Sequence, residues 1–244
     1  MNIPRLLLLL APLPLMVAAV QAEPGPGPRT IKVFVALCDN EAQGIVPVPA
    51  RIGNGDQPEA NLYWGCSDGL ASYFKRSSRW QLTKTESKVS DEILVRLHFK
   101  HRDADLLLTA LAYRGTAIKA CVRDFEAALA SGKDALVAYL GHNGLMDFAL
   151  DPPAKGSDQK PAAVVLCCKS EAYFRERITA LGGQPILLTD QFMYPGSFLL
   201  HDAVEAWRQG KSRGEVRTAA GRAYARNQKI SVKAATGVFS KLDE

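Results

Sequence analysis

The sequence predicts an α/β fold, a three-layer sandwich built on a mainly parallel central sheet. Short apolar runs alternate along the chain with longer segments whose apolar residues recur at helical spacing, as expected of repeated strand–helix units. The runs at 31–37 (IKVFVAL) and 162–166 (AAVVL) are almost continuously apolar, as strands covered on both faces are. Turn-forming Gly, Pro, Asn and Asp separate the segments and support the same division.

The first half of the chain is predicted to hold two strands and two helices. Residues 31–37 are largely β-branched and end at the turn formers Cys-Asp-Asn, which favours a strand. Residues 62–75 carry apolar side chains at roughly helical spacing, whereas residues 92–99 (EILVRLHF) alternate in the way a strand does. Residues 103–131 are predicted to be mostly helical, with Gly115 marking a break in the pattern.

The second half of the chain continues the alternation. Two short apolar runs, 135–140 and 162–166, predict consecutive strands of the sheet. Gly182 and Gly183 form a stop signal for the helix that precedes them. The remaining predicted elements are a helix at 171–181, a strand at 185–188 and helices at 197–208 and 214–235.

The first 22 residues have the pattern of a signal peptide. An apolar stretch follows Arg5 and ends in Val20-Gln21-Ala22, which satisfies the small-residue rule for cleavage. Residues 23–30 are rich in Pro and Gly and predict a disordered spacer. The remaining residues, 31–244, are enough for a single domain with one sizeable core. We therefore expect an exported protein, either periplasmic or secreted.

Composition and spacing argue against several classes of function. The formal net charge is +5, which is too mild to indicate a nucleic-acid partner. No C-x₂-C or H-x₃-H spacing indicates a metal site, and the Gly53-Asn54-Gly55 turn lacks the flanking strand and helix of a phosphate-binding loop. We therefore predict no metal, no cofactor and no nucleic acid. Five cysteines leave at least one thiol unpaired within an exported chain.

A histidine and a pair of cysteines follow two consecutive predicted strands. His142 lies just after the strand at 135–140, and Cys167-Cys168 follow the strand at 162–166. Reacting groups in parallel sheets gather at the carboxyl ends of the strands, so we expect a Cys–His dyad of His142 with Cys168 or Cys167, and the spacing alone does not decide which of the two thiols faces the imidazole. The N–H groups of Gly144 and of the cysteine would stabilise the oxyanion.

These segments resemble the caspase-like cysteine peptidases, the group that includes the caspases, legumain, gingipain and separase. In that family one apolar strand ends in His-Gly, and a second ends in a small residue followed by the nucleophilic Cys; here they read LVAYLGHNG and VVLCCKS. The resemblance implies that His142 is the catalytic histidine and Cys168 the nucleophile. Cys167 then occupies the small-residue position, and Ser170 matches a small residue that follows. It also implies a caspase-like fold and a peptide or protein substrate.

The same resemblance suggests where the substrate pocket lies. The loop after the first strand helps to form the specificity pocket in that family, which makes Asp39 and Asn40 pocket candidates. Asp190 follows a later predicted strand and is the third candidate. Acidic residues at these positions would favour a Lys or Arg side chain in the substrate.

Two other functions are compatible with the sequence. Asn143 interrupts the His-Gly pair and Lys169 follows the nucleophile, so the chain could be a catalytically inactive binding or scaffold protein of the cell envelope. The stretch Gly65-Cys66-Ser67-Asp68-Gly69 matches the G-x-S-x-G nucleophile elbow, which would make Ser67 the nucleophile of a serine hydrolase with His201 or His142 as its base. That elbow requires a buried strand directly before it.

The carboxyl-terminal segment is strongly basic. Between 208 and 233 its only acidic residue is Glu215, and its eight basic residues are Arg208, Lys211, Arg213, Arg217, Arg222, Arg226, Lys229 and Lys233. The segment is either a solvated helix face or a surface that contacts an anionic envelope partner.

Overall fold

Seven strands form one mixed sheet in the computed structural model, which describes residues 27–153 and 155–242. The strands are β1 (Arg29–Ala36), β2 (Trp80–Ser87), β3 (Ile93–His101), β4 (Leu106–Tyr113), β5 (Leu136–Leu140), β6 (Ala162–Leu166) and β7 (Gln184–Leu187). Their order is β2-β3-β4-β1-β5-β6-β7, and every pair from β4 to β7 is parallel. The mainly parallel sheet is therefore confirmed, with an antiparallel β2–β3–β4 meander at one edge.

Helices cover both faces of the sheet, as the three-layer prediction requires. They are α1 (Leu70–Arg76), α2 (Ile118–Ser131), α3 (Ser170–Ala180), α4 (Ser197–Arg208), α5 (Arg213–Gln228) and α6 (Val232–Thr236). Ile31 and Val33 of β1 pack into a core shared with α1, α4, α5 and α6, whereas Phe34 and Ala36 pack into a second core with α2 and α3. This alternation explains why β1 is apolar at nearly every position.

The prediction of a mostly helical segment at 103–131 was wrong in its first part. Residues Leu106–Tyr113 form β4, which pairs with β1 on one side and β3 on the other, and only Ile118–Ser131 form a long helix. Residues four apart lie on the same face of a helix and also of a strand, so the Leu107–Leu111 spacing did not discriminate between them. The break predicted at Gly115 does separate the strand from the helix, as the start of a short 3₁₀ turn.

Other boundaries differ for identifiable reasons. Strand β2 was not predicted because it is an edge strand with one fully buried side chain, Trp80. The helix predicted at 62–75 begins only at Leu70, since the buried Asn61 side chain bonds the backbone of Cys38, Asn54 and Tyr63 and holds the preceding residues in turns. The helix predicted at 214–235 is divided into α5 and α6 at Lys229, whose φ is 55°.

The amino-terminal predictions fall mostly outside the described residues. The leader at 1–22 and the first four residues of the spacer at 23–30 are not described. Strand β1 begins at Arg29, two residues earlier than predicted and inside the predicted spacer, because Arg29 and Thr30 pair with β4. None of the helices in the described ranges is long and apolar enough to span a bilayer.

A buried carboxylate joins helix α4 to the β2–β3 edge of the sheet. Glu205 Oε1 lies 2.8 Å from His101 Nε2, and Oε2 accepts from Arg79 (2.6 Å) and Arg208 (2.7 Å). The N–H of Asp103 donates to His101 Nδ1, so Nε2 carries the proton that Glu205 accepts. Burial raises the pKa of Glu205, but the hydrogen bonds from Arg208, His101 and Arg79 together lower it below its ordinary value.

Replacing Glu205 by Gln should destabilise the protein in a pH-dependent way. The loss of a buried charge-assisted acceptor should cost about 1–3 kcal/mol at pH 7. A lowered pKa in the folded state stabilises the fold above the unfolded-state pKa of about 4.3, and this contribution disappears as pH falls through the folded-state value. The difference in unfolding free energy between wild type and E205Q, measured by urea denaturation, should therefore be full at pH 7 and shrink below about pH 4.

Glu176 offers a matched control because it is an exposed glutamate on α3. E176Q should unfold like wild type at both pH values. If the difference in unfolding free energy between wild type and E205Q stays constant from pH 7 to pH 3, the role assigned to the Glu205 carboxylate is contradicted.

Candidate active site

The parallel pairing of β5 with β6 brings the predicted dyad to one edge of the sheet. Leu140 pairs with Leu166, and the N–H of Gly141 extends the ladder to the carbonyl of Leu166 at 3.3 Å. His142 and Cys168 each follow their paired leucine by two residues, so they leave adjacent strands at the same level. Neighbouring strands lie about 4.8 Å apart, so the two residues leave the sheet one strand spacing from each other. Their side chains bond other groups in this structure, His142 to Asp147 and Cys168 to the Met193 backbone.

The imidazole of His142 is held by an aspartate that sequence reasoning missed. Asp147 lies in the same loop, and its Oδ2 is 2.7 Å from His142 Nε2 and 2.9 Å from the N–H of Gly44. The buried Tyr139 hydroxyl donates to the carbonyl of His142 at 2.7 Å. Because a carboxylate can only accept, Nε2 carries a proton and Nδ1 remains as the nitrogen able to accept one.

Cys168 is half-buried at the junction between β6 and α3. Its thiol donates to the carbonyl of Met193 at 3.6 Å, and its sulfur accepts from the N–H of the same residue at 3.4 Å. Lys169 adopts the left-handed conformation (φ 51°) and turns the chain directly into α3. Cys168 therefore lies just before the amino terminus of this helix.

The adjacent Cys167 is excluded as the nucleophile by its position. Its side chain is fully buried in the core between the sheet, α2 and α3. Burial raises the pKa of Cys167 well above its ordinary value, and the neighbouring Cys168 adds to the effect. An inaccessible neutral thiol cannot attack a substrate, so of the two adjacent cysteines only Cys168 is placed for chemistry. All five cysteines are free thiols.

Asn143, the residue that interrupts the His-Gly pair, ties the two strand ends together. It is fully buried, and its Nδ2 donates to the carbonyl of Cys168 at 2.8 Å. Its Oδ1 accepts from the N–H of Leu145 at 3.2 Å and caps a short 3₁₀ turn. This side chain crosses from the histidine loop to the cysteine and couples the two backbone segments.

The oxyanion role predicted for Gly144 is not supported by its hydrogen bonding. The N–H of Gly144 donates to the carbonyl of His142 at 3.1 Å and is thereby occupied. A Cβ atom at this position would lie 2.7 Å from the Phe148 ring and 3.1 Å from Ile118, so close packing rather than substrate access requires the glycine. Of the two donors predicted from sequence, the N–H of Cys168 is the remaining one.

A hydroxyl network fixes the other side of Cys168. The buried Ser170 hydroxyl donates to the carbonyl of Val165 at 2.9 Å and accepts from the N–H of Thr189 at 2.9 Å. Thr189 Oγ1 accepts from the N–H of Ser170 at 3.1 Å and donates to the carbonyl of Cys167. The small residue expected at 170 is thus a bridge that joins the exit of β6 to the exit of β7.

Tyr63 is a second site residue that sequence reasoning missed. It is buried in the same core as Cys38. Burial and the thiols of Cys38 and Cys168 raise the pKa of Tyr63 well above its ordinary value, and burial raises the pKa of Cys38 to about 11. Its ring lies 3.7 Å from where a Cβ of Gly141 would be, and Gly141 has a φ of 141°, which favours glycine.

The three pocket candidates are hydrogen-bonded within the protein, Asp39 and Asn40 inside their own loop and Asp190 to the carboxyl-terminal segment. Asp39 Oδ1 accepts from the N–H groups of Glu41 (2.9 Å) and Ala42 (3.1 Å). The Asn40 amide exchanges two hydrogen bonds with the backbone of Val48. Asp190 Oδ1 accepts from the Ser240 hydroxyl at 2.7 Å. These side chains lie after β1 and β7, as expected, but their contacts shape the loops.

The nucleophile elbow predicted around Ser67 lacks its structural context. Residues 61–69 form turns, so in the described part of the chain no strand leads into Ser67. His201 Nε2 bonds the Ser77 hydroxyl at 2.9 Å, and its Nδ1 bonds Asp202 at 3.0 Å. Both nitrogens of His201 are therefore engaged elsewhere, and His142 is bound to Asp147. The contacts give no support to a serine hydrolase at this position.

A large concave surface lies away from the thiol. It encloses about 1090 Å³ over the open face of the β2–β3–β4 meander, beside α2. Two of the ionic groups that line it, Lys84 and His98, bond the Glu86 carboxylate at 2.9 Å and 2.8 Å. Size alone therefore does not make it the reacting centre. Within the described ranges, no group of three or more His, Cys, Asp or Glu side chains is arranged to hold a metal ion.

Much of the basic charge in the carboxyl-terminal segment is used within the molecule. Arg217 donates to the carbonyl of Phe239 and Arg213 to that of Leu242, which fastens the end of the chain to α5. The other basic side chains with intramolecular partners are Arg208 with Glu205, Lys211 with Glu215 and Arg226 with Asp202. Contact of this segment with an anionic surface stays a prediction. Because several of its basic side chains are paired inside the molecule, less positive charge is available for that contact than the sequence suggests.

Comparisons with known proteins do not assign the chain to a family. No family model matches it, and no curated protein and no solved structure is significantly similar to it. The site is therefore interpreted from its own residues. An accessible thiol at a helix amino terminus, level with an imidazole oriented by a carboxylate, can perform nucleophilic attack followed by proton transfer.

The contact between Asp147 and His142 can be tested without any assumption about activity. Replacing Asp147 by Ala removes the acceptor of the Nε2–H proton. Loss of a hydrogen bond to a charged group should lower the protection of this proton from solvent exchange about tenfold or more. The Nε2–H proton of His142, observed by ¹⁵N-resolved NMR, should exchange with solvent at least about tenfold faster in D147A than in wild type.

Gly44 provides a second route to the same effect. A Cβ atom on Gly44 would overlap the Asp147 carboxylate, so Gly44→Ala should displace the acceptor while keeping its charge. D158A, at an exposed aspartate, serves as the control. Unchanged exchange in both D147A and G44A would show that His142 is not held by Asp147.

Proposed function

We propose that this protein is an exported cysteine peptidase-like hydrolase of caspase-like fold, in which Cys168 is the nucleophile and His142 its acid–base partner. The observation that carries the proposal is the in-register exit of His142 and Cys168 from adjacent parallel strands. The parallel order β4-β1-β5-β6-β7, with the histidine after β5 and the cysteine after β6, supports the caspase-like assignment.

The reaction follows from the placement of these groups. His142 takes the thiol proton of Cys168, and the resulting thiolate attacks the carbonyl carbon of a peptide bond. The tetrahedral intermediate collapses as the C–N bond breaks, and the imidazolium gives its proton to the leaving amine. Water then attacks the thioester, with His142 accepting a proton from it, and releases the carboxylic acid and the thiol. Peptide or protein segments are the substrates of this reaction.

Each neighbouring contact has a part in this scheme. Because Asp147 accepts from Nε2, the nitrogen that exchanges protons with the thiol is Nδ1 of His142. The Met193 backbone on one side and Asn143 on the other hold Cys168 in place. The N–H of Cys168 and the amino terminus of α3 face the developing oxyanion.

An inactive binding protein of the same fold is the second candidate. It is favoured by one observation, the occupied N–H of Gly144, which removes one of the two expected oxyanion donors. Such a protein would form a stable complex with an envelope partner and leave Cys168 unmodified by substrate-like electrophiles. A histidine held by an aspartate would then have only a structural role.

Cys168→Ala should abolish hydrolysis of every substrate while leaving thermal unfolding nearly unchanged, because the side chain is half-buried and small. In the wild type, a broad peptidyl chloromethyl ketone should add once, at Cys168, as read by intact mass and peptide mapping. His142→Ala should slow this labelling at least about 100-fold, the scale of general acid–base catalysis.

Cys167→Ala is the matched control, since it removes the neighbouring thiol that is fully buried. It should retain labelling at Cys168 and differ from wild type only in melting temperature. Turnover that persists in C168A would overturn the assignment of the nucleophile. Absence of labelling in the wild type, together with a recovered envelope complex, would favour the binding protein.

A further inference from the structure

Three exposed apolar side chains belong to the loops that surround the proposed site. Val46 follows β1 and is 87% exposed, Met146 follows β5 and is 39% exposed, and Phe192 follows β7 and is 66% exposed. We define these three residues as the apolar rim. Each lies in a segment that leaves the carboxyl end of a strand, at the edge that carries His142 and Cys168.

Hydrogen bonds connect the apolar rim to the reacting groups. Met146 directly precedes Asp147, which binds both His142 and the N–H of Gly44, two residues before Val46. Phe192 directly precedes Met193, whose N–H donates to the sulfur of Cys168. Each rim residue therefore lies within two positions in the chain of a residue that hydrogen-bonds a group of the proposed site.

The neighbours of the rim residues are anchored in the core. Ile45 and Val48 flank Val46 in the chain and pack against the main hydrophobic core, and Met193 and Tyr194 do the same after Phe192. The core thus holds the segments, while Val46 and Phe192 point away from it. The exposed side chains of Val46 and Phe192 are therefore available for contact with a bound peptide.

The polar side chains predicted to line the pocket do not compete with this surface. One oxygen of each carboxylate of Asp39 and Asp190, and the amide of Asn40, already have hydrogen-bond partners. The Lys169 ammonium lies 4.6 Å from the centre of the Phe192 ring. A Lys or Arg side chain beside Phe192 would therefore meet a like charge, whereas an apolar side chain would gain contact with the rim.

Building on the proposed function, we infer that the site takes an extended peptide segment with apolar side chains beside the scissile bond, and not a segment with Lys or Arg at that position. The apolar rim supplies the contact surface, and the thiol lies between the loops that carry it. The substrate class is a protein or peptide whose cleaved segment is apolar.

The test uses peptidyl chloromethyl ketones that share a backbone and differ in the residue next to the reactive group, namely Leu, Phe, Lys or Asp. Labelling of Cys168 in the full-length mature protein should be at least about tenfold faster for Leu or Phe than for Lys or Asp, the scale on which an apolar pocket discriminates. Phe192→Ser and Val46→Ser should each reduce the Leu preference several-fold. The Leu preference is a ratio of rates, and the rate with iodoacetamide, measured on the same variants, reports the intrinsic reactivity of Cys168 separately.

Ile230 and Val232 provide matched controls because they are similarly exposed, at 44% and 47%, in the α5–α6 region. I230S and V232S should leave the Leu preference intact. Equal or faster labelling by the Lys reagent would overturn the inference about substrate class but leave the proposed hydrolase standing. Failure of all four reagents to label Cys168, despite reaction with iodoacetamide, would overturn the proposed function and this inference with it.

Discussion

The parallel pairing of β5 with β6 is the constraint on which the rest of the site depends. Both strands are five residues long and fully buried, so their register is set by the packing of two cores against opposite faces. A slip of one residue would turn every side chain of a strand to the other face and would be resisted by both cores. The packing of the buried strands therefore fixes how His142 and Cys168 are aligned at the strand ends.

Polar side chains extend this register beyond the ends of the strands, where backbone pairing stops. Asn143 reaches from the histidine loop to the carbonyl of Cys168, and Ser170 with Thr189 joins the exits of β6 and β7. Buried polar groups are costly unless they are bonded, so these partners must stay in place for the segment to remain folded. The cysteine is thus held from both sides by groups that have no part in proton transfer.

Sequence reasoning located five of the seven strands because each has a clear local pattern. The run AAVVL was predicted with its observed bounds, and so was the helix at 197–208. The strand Leu106–Tyr113 was missed because leucines four apart satisfy both periodicities, and only pairing with β1 and β3 decides between them. Asp147 and Tyr63 could not be predicted as site residues, since a loop carboxylate and a tyrosine some hundred positions before Cys168 acquire their roles through tertiary contacts.

The turn around Gly144 limits how an oxyanion could be stabilised in the proposed reaction. Its N–H donates a hydrogen bond to the carbonyl of His142, and the Phe148 ring and Ile118 pack against the glycine. Loss of one oxyanion donor costs about 10²–10³ in rate in enzymes that rely on two. In the proposed reaction His142 removes the thiol proton before an oxyanion forms, so this first step does not depend on that donor. A reactive thiol combined with slow turnover is therefore the behaviour expected of a hydrolase built in this way, whereas a binding protein has no need of the carboxylate that orients His142.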